Sequence, residues 1–199
     1  MMAVQSSSST VSLAELLKGF TAATALPDMA VTGLADDSRQ VRPGDLYLAC
    51  QGLQTHGLAH AAEAVRQGAV AVLWEPPVDQ TLQAVADQLG VFALSVMGLA
   101  GKRGQIADRF YAHPSRDMHV IGVTGTDGKT SVTHFLAQAL SGAGRPCGLL
   151  GTLGYGIYGE LHAPTHTTPD ALHLQAELAR LRDAGVRQVM LLPVPDTER

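Results

Sequence analysis

Residues 120–131 read Val-Ile-Gly-Val-Thr-Gly-Thr-Asp-Gly-Lys-Thr-Ser, an apolar run entering a glycine loop that ends in Lys-Thr. These types at this spacing suit a nucleotide phosphate. Gly125 and Gly128 let the backbone turn tightly and bring its N–H groups against anionic oxygens. Lys129 can set a point charge on the outer phosphates, and Thr130 offers a hydroxyl to Mg²⁺. The first turn of a following helix adds free N–H groups and the positive end of its dipole.

The strict pattern G-x-x-x-x-G-K-[ST] needs a glycine at position 123, where this chain has Val123. The flanks give the shorter Thr124–Thr130 stretch its weight. Val120, Ile121 and Val123 predict a buried strand ahead of it. Behind it, Val132, Phe135, Leu136, Ala139 and Leu140 fall on one face of a helix. The bland alternative is a close-packed glycine turn that binds nothing. Lys18, Lys102 and Lys129 are the only lysines, set against an arginine-rich background. Codon bias accounts for the ratio, but a flexible ammonium meeting a phosphate accounts better for position 129.

The elements that must position this loop read as α/β. Hydrophobic residues at 46% and charged residues at 16% over 199 positions describe a globular chain with one large or two small domains. The net charge of −4 argues against a nucleic-acid partner. No apolar run has the length of a membrane span, and residues 1–11 lack a secretory pattern, so they read as a disordered lead-in. Cys50 and Cys147 have no C-x-x-C spacing and fit reduced thiols in the cytoplasm.

Ser12-Leu-Ala-Glu15 predicts a capping box and a short helix ending near Gly19. Strands are expected at 31–34, 46–49, 69–74 and 91–96, with helices at 59–67, 81–89 and 99–111. A linker at 113–117 separates this unit from the glycine-loop unit. The second unit continues with a strand at 148–153 and a glycine-rich turn at 154–159. Its next helix has Thr168 as N-cap, Pro169 at the first position and Leu174, Leu178 and Leu181 as its stripe; a strand at 186–192 follows. Alternating strands and helices imply a mainly parallel sheet with ligands at the carboxyl ends of its strands.

Four stretches together resemble the Mur ligase family, the ATP-dependent amino-acid ligases of peptidoglycan synthesis. They are Asp37–Ala49 with Gly52 and His56-Gly57 after it, Thr124–Thr130, Gly151-Thr-Leu-Gly-Tyr155, and His166-Thr-Thr-Pro-Asp170. The likeness covers about residues 12–190 and points to the subgroup of the third peptidoglycan step. Asp127 stands where the family more often has asparagine. The resemblance implies a UDP-MurNAc-binding α/β domain over 12–114, the first part of a parallel-sheet P-loop ATPase domain over 115–190, and a non-family tail over 191–199.

Carried over residue by residue, Gly125, Thr126, Asp127, Gly128, Lys129, Thr130 and Ser131 would bind ATP. Lys129 and Thr130 would be catalytic, with Thr130 on Mg²⁺. Ser38, Leu53, Gln54 and Thr55 would hold the UDP-sugar, and Thr167 and Thr168 the muramoyl-dipeptide. Alone, Asp37-Ser38-Arg39 reads as an ordinary side-chain-capped turn. The implied reaction joins meso-diaminopimelate or L-lysine to UDP-MurNAc-L-Ala-D-Glu through an acyl phosphate. The expected partners are these small molecules, with neither nucleic acid nor membrane, and the expected state is a monomer. His162 and His166 are four apart, but Pro164 between them disfavours a metal-binding helix. Asp36, Asp37 and Asp45 suit turn chemistry, and Trp74 suits packing.

Beyond Met190 the family would continue with a Glu-Val-Ser-Ser-His-like segment, whereas this chain reads Leu191-Leu-Pro-Val-Pro-Asp-Thr-Glu-Arg199. The expectation from that departure is a truncated or frameshifted ligase, inactive alone. The alternatives are a non-catalytic ATP- or UDP-sugar-binding protein and, more distantly, a folylpolyglutamate-synthase-like ligase.

Overall fold

A computed structural model describes residues 10–21, 23, 26–163 and 170–192. The chain divides into two compact units between Phe110 and Tyr111. Thr167, Thr168, Pro169 and His166, together with the tail after Leu192, lie outside the described residues.

The first unit opens with β1 (Val11–Ser12) and α1 (Leu13–Leu17), followed by β2 (Ala30–Val31), which pairs antiparallel with β1. Next come β3 (Gly33–Ala35), β4 (Asp45–Ala49), α2 (Ala61–Gln67), β5 (Ala71–Trp74), α3 (Gln80–Asp87), β6 (Phe92–Ser95) and α4 (Leu99–Phe110). The sheet runs β3-β4-β5-β6, every neighbour parallel. Its middle strands β4 and β5 are buried along their whole length, as the apolar runs Leu46–Ala49 and Ala71–Trp74 require in a sheet covered on both faces; Asp45 at the start of β4 is buried with its carboxylate on the Arg42 amide. Tyr47, Val72 and Trp74 pack with Leu58, Ala61 and Ala64, so Trp74 is core. Gly68 closes α2 at φ +111°, and a Cβ there would stand 2.6 Å from Cα of Pro43.

The second unit contains β7 (His119–Gly122), α5 (Lys129–Gly142), β8 (Cys147–Gly151), β9 (Gly154–Ile157), β10 (Glu160–His162), α6 (Ala171–Asp183) and β11 (Gln188–Leu191). Its sheet order is β10-β9-β8-β11-β7. The β8, β11 and β7 strands are parallel, while β9 and β10 add an antiparallel extension. Leu178, Leu181, Val186 and Val189 pack with Leu150 and Tyr155, so the leucine stripe of α6 faces the core as its spacing predicts.

Several expectations are corrected here. The 154–159 stretch is strand β9 and the turn into β10, not a turn alone. Gly154 and Gly156 take φ of +132° and +143°, and a Cβ on either would stand 2.5 and 2.6 Å from the carbonyl oxygens of His162 and Glu160. Their lack of a side chain is what lets β10 approach. Ser12 precedes α1, but its side chain makes no capping bond. The cap of α6 is Asp170, whose carboxylate accepts from the His173 amide at 2.9 Å.

The largest departure concerns α5. Val132, Phe135, Leu136 and Ala139 form an exposed face, and Phe135 is 66% exposed. The helix packs on β8 through Ala137 and Leu140, against Cys147, Leu149 and Met190. Strand β7 is an edge strand, with Val120 and Ile121 exposed as well, so it is not the buried strand that its apolar run predicts.

Candidate functional site

The glycine loop connects the carboxyl end of β7 to the first residue of α5, as its sequence requires. Val123 stays registered to the sheet by donating from its amide to the Leu191 carbonyl at 2.9 Å. The chain then turns through Gly125 at φ +145° and Gly128 at φ +77°, conformations that side chains with a Cβ disfavour. Gly128 is the N-cap of α5 and contributes no side-chain bond, which leaves the first-turn amides to other partners. The first turn is pinned from below. Thr133, 1% exposed, donates its hydroxyl proton between the carbonyls of Lys129 at 3.0 Å and Thr130 at 2.9 Å.

Gly125, Thr126, Asp127 and Gly128 are exposed, Lys129 and Thr130 half-buried, and Ser131 exposed on the next helical position. Nothing lies within 4 Å of a Cβ placed on Gly128, and only the Asp127 carbonyl, at 3.8 Å, near one on Gly125. The Lys129 ammonium folds over the loop, donating to the carbonyls of Gly125 and Thr126, the latter at 3.4 Å. An open backbone cradle with a lysine and a threonine at its helical end fits a nucleotide polyphosphate. Among the described residues no group of three or more His, Cys, Asp or Glu gathers as a metal site. Magnesium needs only one or two protein oxygens beside phosphate and water, so the Thr130 hydroxyl fits that demand.

The first unit has a pocket of about 510 Å³, within the usual range for small-molecule sites. Ser38 and Thr55 line it together, as do Asp36, Tyr47, His60 and Glu63. Leu53 is 93% exposed and Gln54 is exposed; neither lines the pocket, whose wall on this side is Gly52 and Thr55. Asp37 accepts from the Arg39 amide at 3.0 Å and holds the Arg39 guanidinium at 2.9 and 2.7 Å, so the turn chemistry and the pocket coexist. Asp45 likewise accepts from the Arg42 amide at 2.8 Å. Asp36 instead pairs with Arg103 of α4 at 2.7 Å, which turn chemistry alone does not anticipate.

His56 explains the His-Gly pair. Its Nδ1 accepts from the Leu58 amide at 3.0 Å, which places the ring proton on Nε2, 2.9 Å from the Glu75 carbonyl. Gly57 then passes so close that a Cβ would stand 3.0 Å from Cα of Ala49. Burial pushes the Cys50 thiol beside the pocket up to about 11, against an opposing pull from Arg103.

Sequence reasoning missed Tyr47, His60 and Glu63. Tyr47 reads as a strand core residue, and His60 and Glu63 as the solvated start of a helix. Tyr47 and Glu63 meet Gly57 and Ser38, ten and 25 positions away, and His60 meets Thr55 across the turn five positions back, so no pattern of residue types marks them.

Two family models match along this chain. The Mur ligase family catalytic domain matches residues 30–111, and the Mur ligase middle domain matches residues 123–191. The chain belongs to the Mur ligase family. Its members are ATP-dependent ligases. A UDP-N-acetylmuramoyl-L-alanyl-D-glutamate–2,6-diaminopimelate ligase of Xanthomonas campestris pv. campestris strain 8004 is 49% identical over 164 residues, 82% of this chain and 32% of that protein. The chain therefore spans about a third of the length of the curated relatives it matches. A solved ligase structure of the same name superposes with a TM-score of 0.70 at 28% identity, covering 93% of this chain and 36% of the other. The MurF ligase from Thermotoga maritima in complex with ADP shares the fold, with a TM-score of 0.52 at 20% identity over 80% of this chain and 31% of that one. No helix among the described residues is long and apolar enough to cross a membrane.

Proposed function

We propose that this chain carries the UDP-sugar-binding unit and the opening part of the ATPase unit of a ligase that adds a diamino acid to UDP-MurNAc-L-Ala-D-Glu. Curated relatives that match in sequence bear names of the diaminopimelate-adding enzyme, which favours diaminopimelate over lysine. The observation that carries the reading is the open Gly125–Ser131 cradle at the junction of β7 and α5, in a family of ATP-dependent ligases.

A carboxylate is a poor electrophile, and ATP, when bound, supplies the phosphoryl group that gives the substrate carboxylate a leaving group. The chain's own residues supply charge and position. Lys129 neutralises phosphate charge, and the amides of the loop and of the first turn of α5 orient it. Thr130 would hold Mg²⁺ through its hydroxyl. Ser38 and Thr55 would engage the uridine side of the nucleotide sugar, with Leu53 and Gln54 on the exposed rim. Thr167 and Thr168 would hold the muramoyl-dipeptide.

Equilibrium dialysis with labelled UDP-MurNAc-L-Ala-D-Glu tests this reading at the first unit. Saturable binding that weakens roughly tenfold in Ser38→Ala supports it. Absence of binding to the folded wild-type chain contradicts it.

A further inference from the structure

The first hydrogen bond of α5 runs from the Val132 amide to the Gly128 carbonyl at 2.9 Å. The amides of Lys129, Thr130 and Ser131 come before it, so the helix offers them no partner of its own. They are the donors that the open cradle would turn towards an anion.

Two of these amides are held from behind. A peptide group is planar and trans, so the Lys129 carbonyl and the Thr130 amide belong to one rigid unit and point in opposite directions. The Thr130 carbonyl and the Ser131 amide form the next unit. The Thr133 hydroxyl reaches both units at their carbonyl ends, at 3.0 and 2.9 Å. At 1% exposure, Thr133 is shielded from water that would compete for its proton. A donor on a carbonyl also polarises the peptide and strengthens its N–H on the far side.

Helix stability does not call for this hydroxyl. Each carbonyl inside an α-helix already accepts from the amide four residues on. A threonine bonding back to the preceding turn slightly weakens and bends a helix. Valine would fill nearly the same space with no proton to place.

We propose that Thr133 is a positioning residue for the nucleotide phosphates: its hydroxyl fixes the Thr130 and Ser131 amides in the direction from which they donate. The proposal rests on the nucleotide reading of the Gly125–Ser131 cradle given above. Thr133 itself touches no phosphate and acts through the two peptide groups.

The test is calorimetric titration of MgATP into the 199-residue chain, for the wild type, Thr133→Val, Thr133→Ser and Thr133→Ala, with urea denaturation of each. Thr133→Ser keeps the hydroxyl and is expected to bind within about twofold of wild type. Thr133→Val and Thr133→Ala lose it and are expected to bind roughly threefold to tenfold more weakly, the worth of one neutral hydrogen bond. The urea midpoints are expected to follow the methyl group instead. Thr133→Ser falls below wild type because it loses a buried methyl, whereas Thr133→Val does not. Should Thr133→Val misfold, the comparison of Thr133→Ser with Thr133→Ala isolates the hydroxyl equally well. Affinities that track the midpoints, or that are unchanged without the hydroxyl, overturn the proposal and leave the nucleotide reading standing. If the folded wild type binds no MgATP, the nucleotide reading fails first and the proposal with it.

Discussion

Arg103 of α4 and Asp36 at the pocket wall are joined by a 2.7 Å ion pair across 67 residues of sequence. Both side chains are largely shielded, at 28% and 17% exposure. The pair anchors one side of the pocket to a helix that contributes no lining residue of its own. Removing one partner from a shielded pair strands the other charge. Arg103→Ala is therefore expected to lower stability by about 1–3 kcal/mol, read as a shift in urea midpoint with unchanged slope. Arg103→Lys should recover part of the loss, since it restores charge without the guanidinium geometry.

The pH dependence on the alkaline side follows from the buried thiols and phenols. Burial raises Cys50 from 9.0 to about 11, and it raises Tyr47, Cys147 and Tyr155 in the same direction. Their folded states keep protons that the unfolded chain has already released, so stability must fall as pH rises. For Cys50 the stabilisation is complete below pH 9 and is lost as pH climbs towards about 11. Thermal denaturation of wild type and Cys50→Ser between pH 8 and pH 11 is expected to show a shallower alkaline decline in the variant. Parallel curves would remove Cys50 from the explanation.

Two glycines make a controlled contrast. Gly156 has φ +143° and a Cβ there would press within 2.6 Å of the Glu160 carbonyl oxygen. Gly101 lies exposed inside α4 with nothing within 4 Å of a Cβ. Gly156→Ala is expected to destabilise by about 1–3 kcal/mol. Gly101→Ala is expected to stabilise by about 0.5–1 kcal/mol, because alanine loses less backbone entropy in a helix. Opposite shifts in chemical denaturation midpoint check both at once.

The legible parts of the sequence were those whose chemistry is local. The turn from β7 into α5 was legible at Gly125 and Gly128, because the backbone freedom it needs falls within a few residues; the phosphate reading rests on the same residues with Lys129. The stripe at Leu174, Leu178 and Leu181 was equally clear. The face of α5 was not, because periodicity reports which side chains align and says nothing of what covers them. There the helix rests on β8 through Ala137 and Leu140 and leaves Phe135 exposed. Gly154 and Gly156 looked like a turn because glycine marks both turns and close strand approach. Glu63 was invisible as a site residue because its partner Ser38 lies 25 positions away. Only the folded sheet and helix bring the two together.

The central claim is that Thr124–Thr130 holds a nucleotide polyphosphate through Lys129 and the loop amides. Calorimetric titration of MgATP into wild type and Lys129→Ala tests it most directly, with far-ultraviolet circular dichroism confirming equal folding. Lys129 is half-buried at the helix start and, among the described residues, its ammonium bonds to the loop carbonyls of Gly125 and Thr126, so the substitution should spare the fold. The expected result is saturable binding by wild type and a loss of roughly tenfold to a hundredfold in the variant, the worth of one charged hydrogen-bond donor. Equal affinity in the two proteins, or none in the folded wild type, would contradict the assignment.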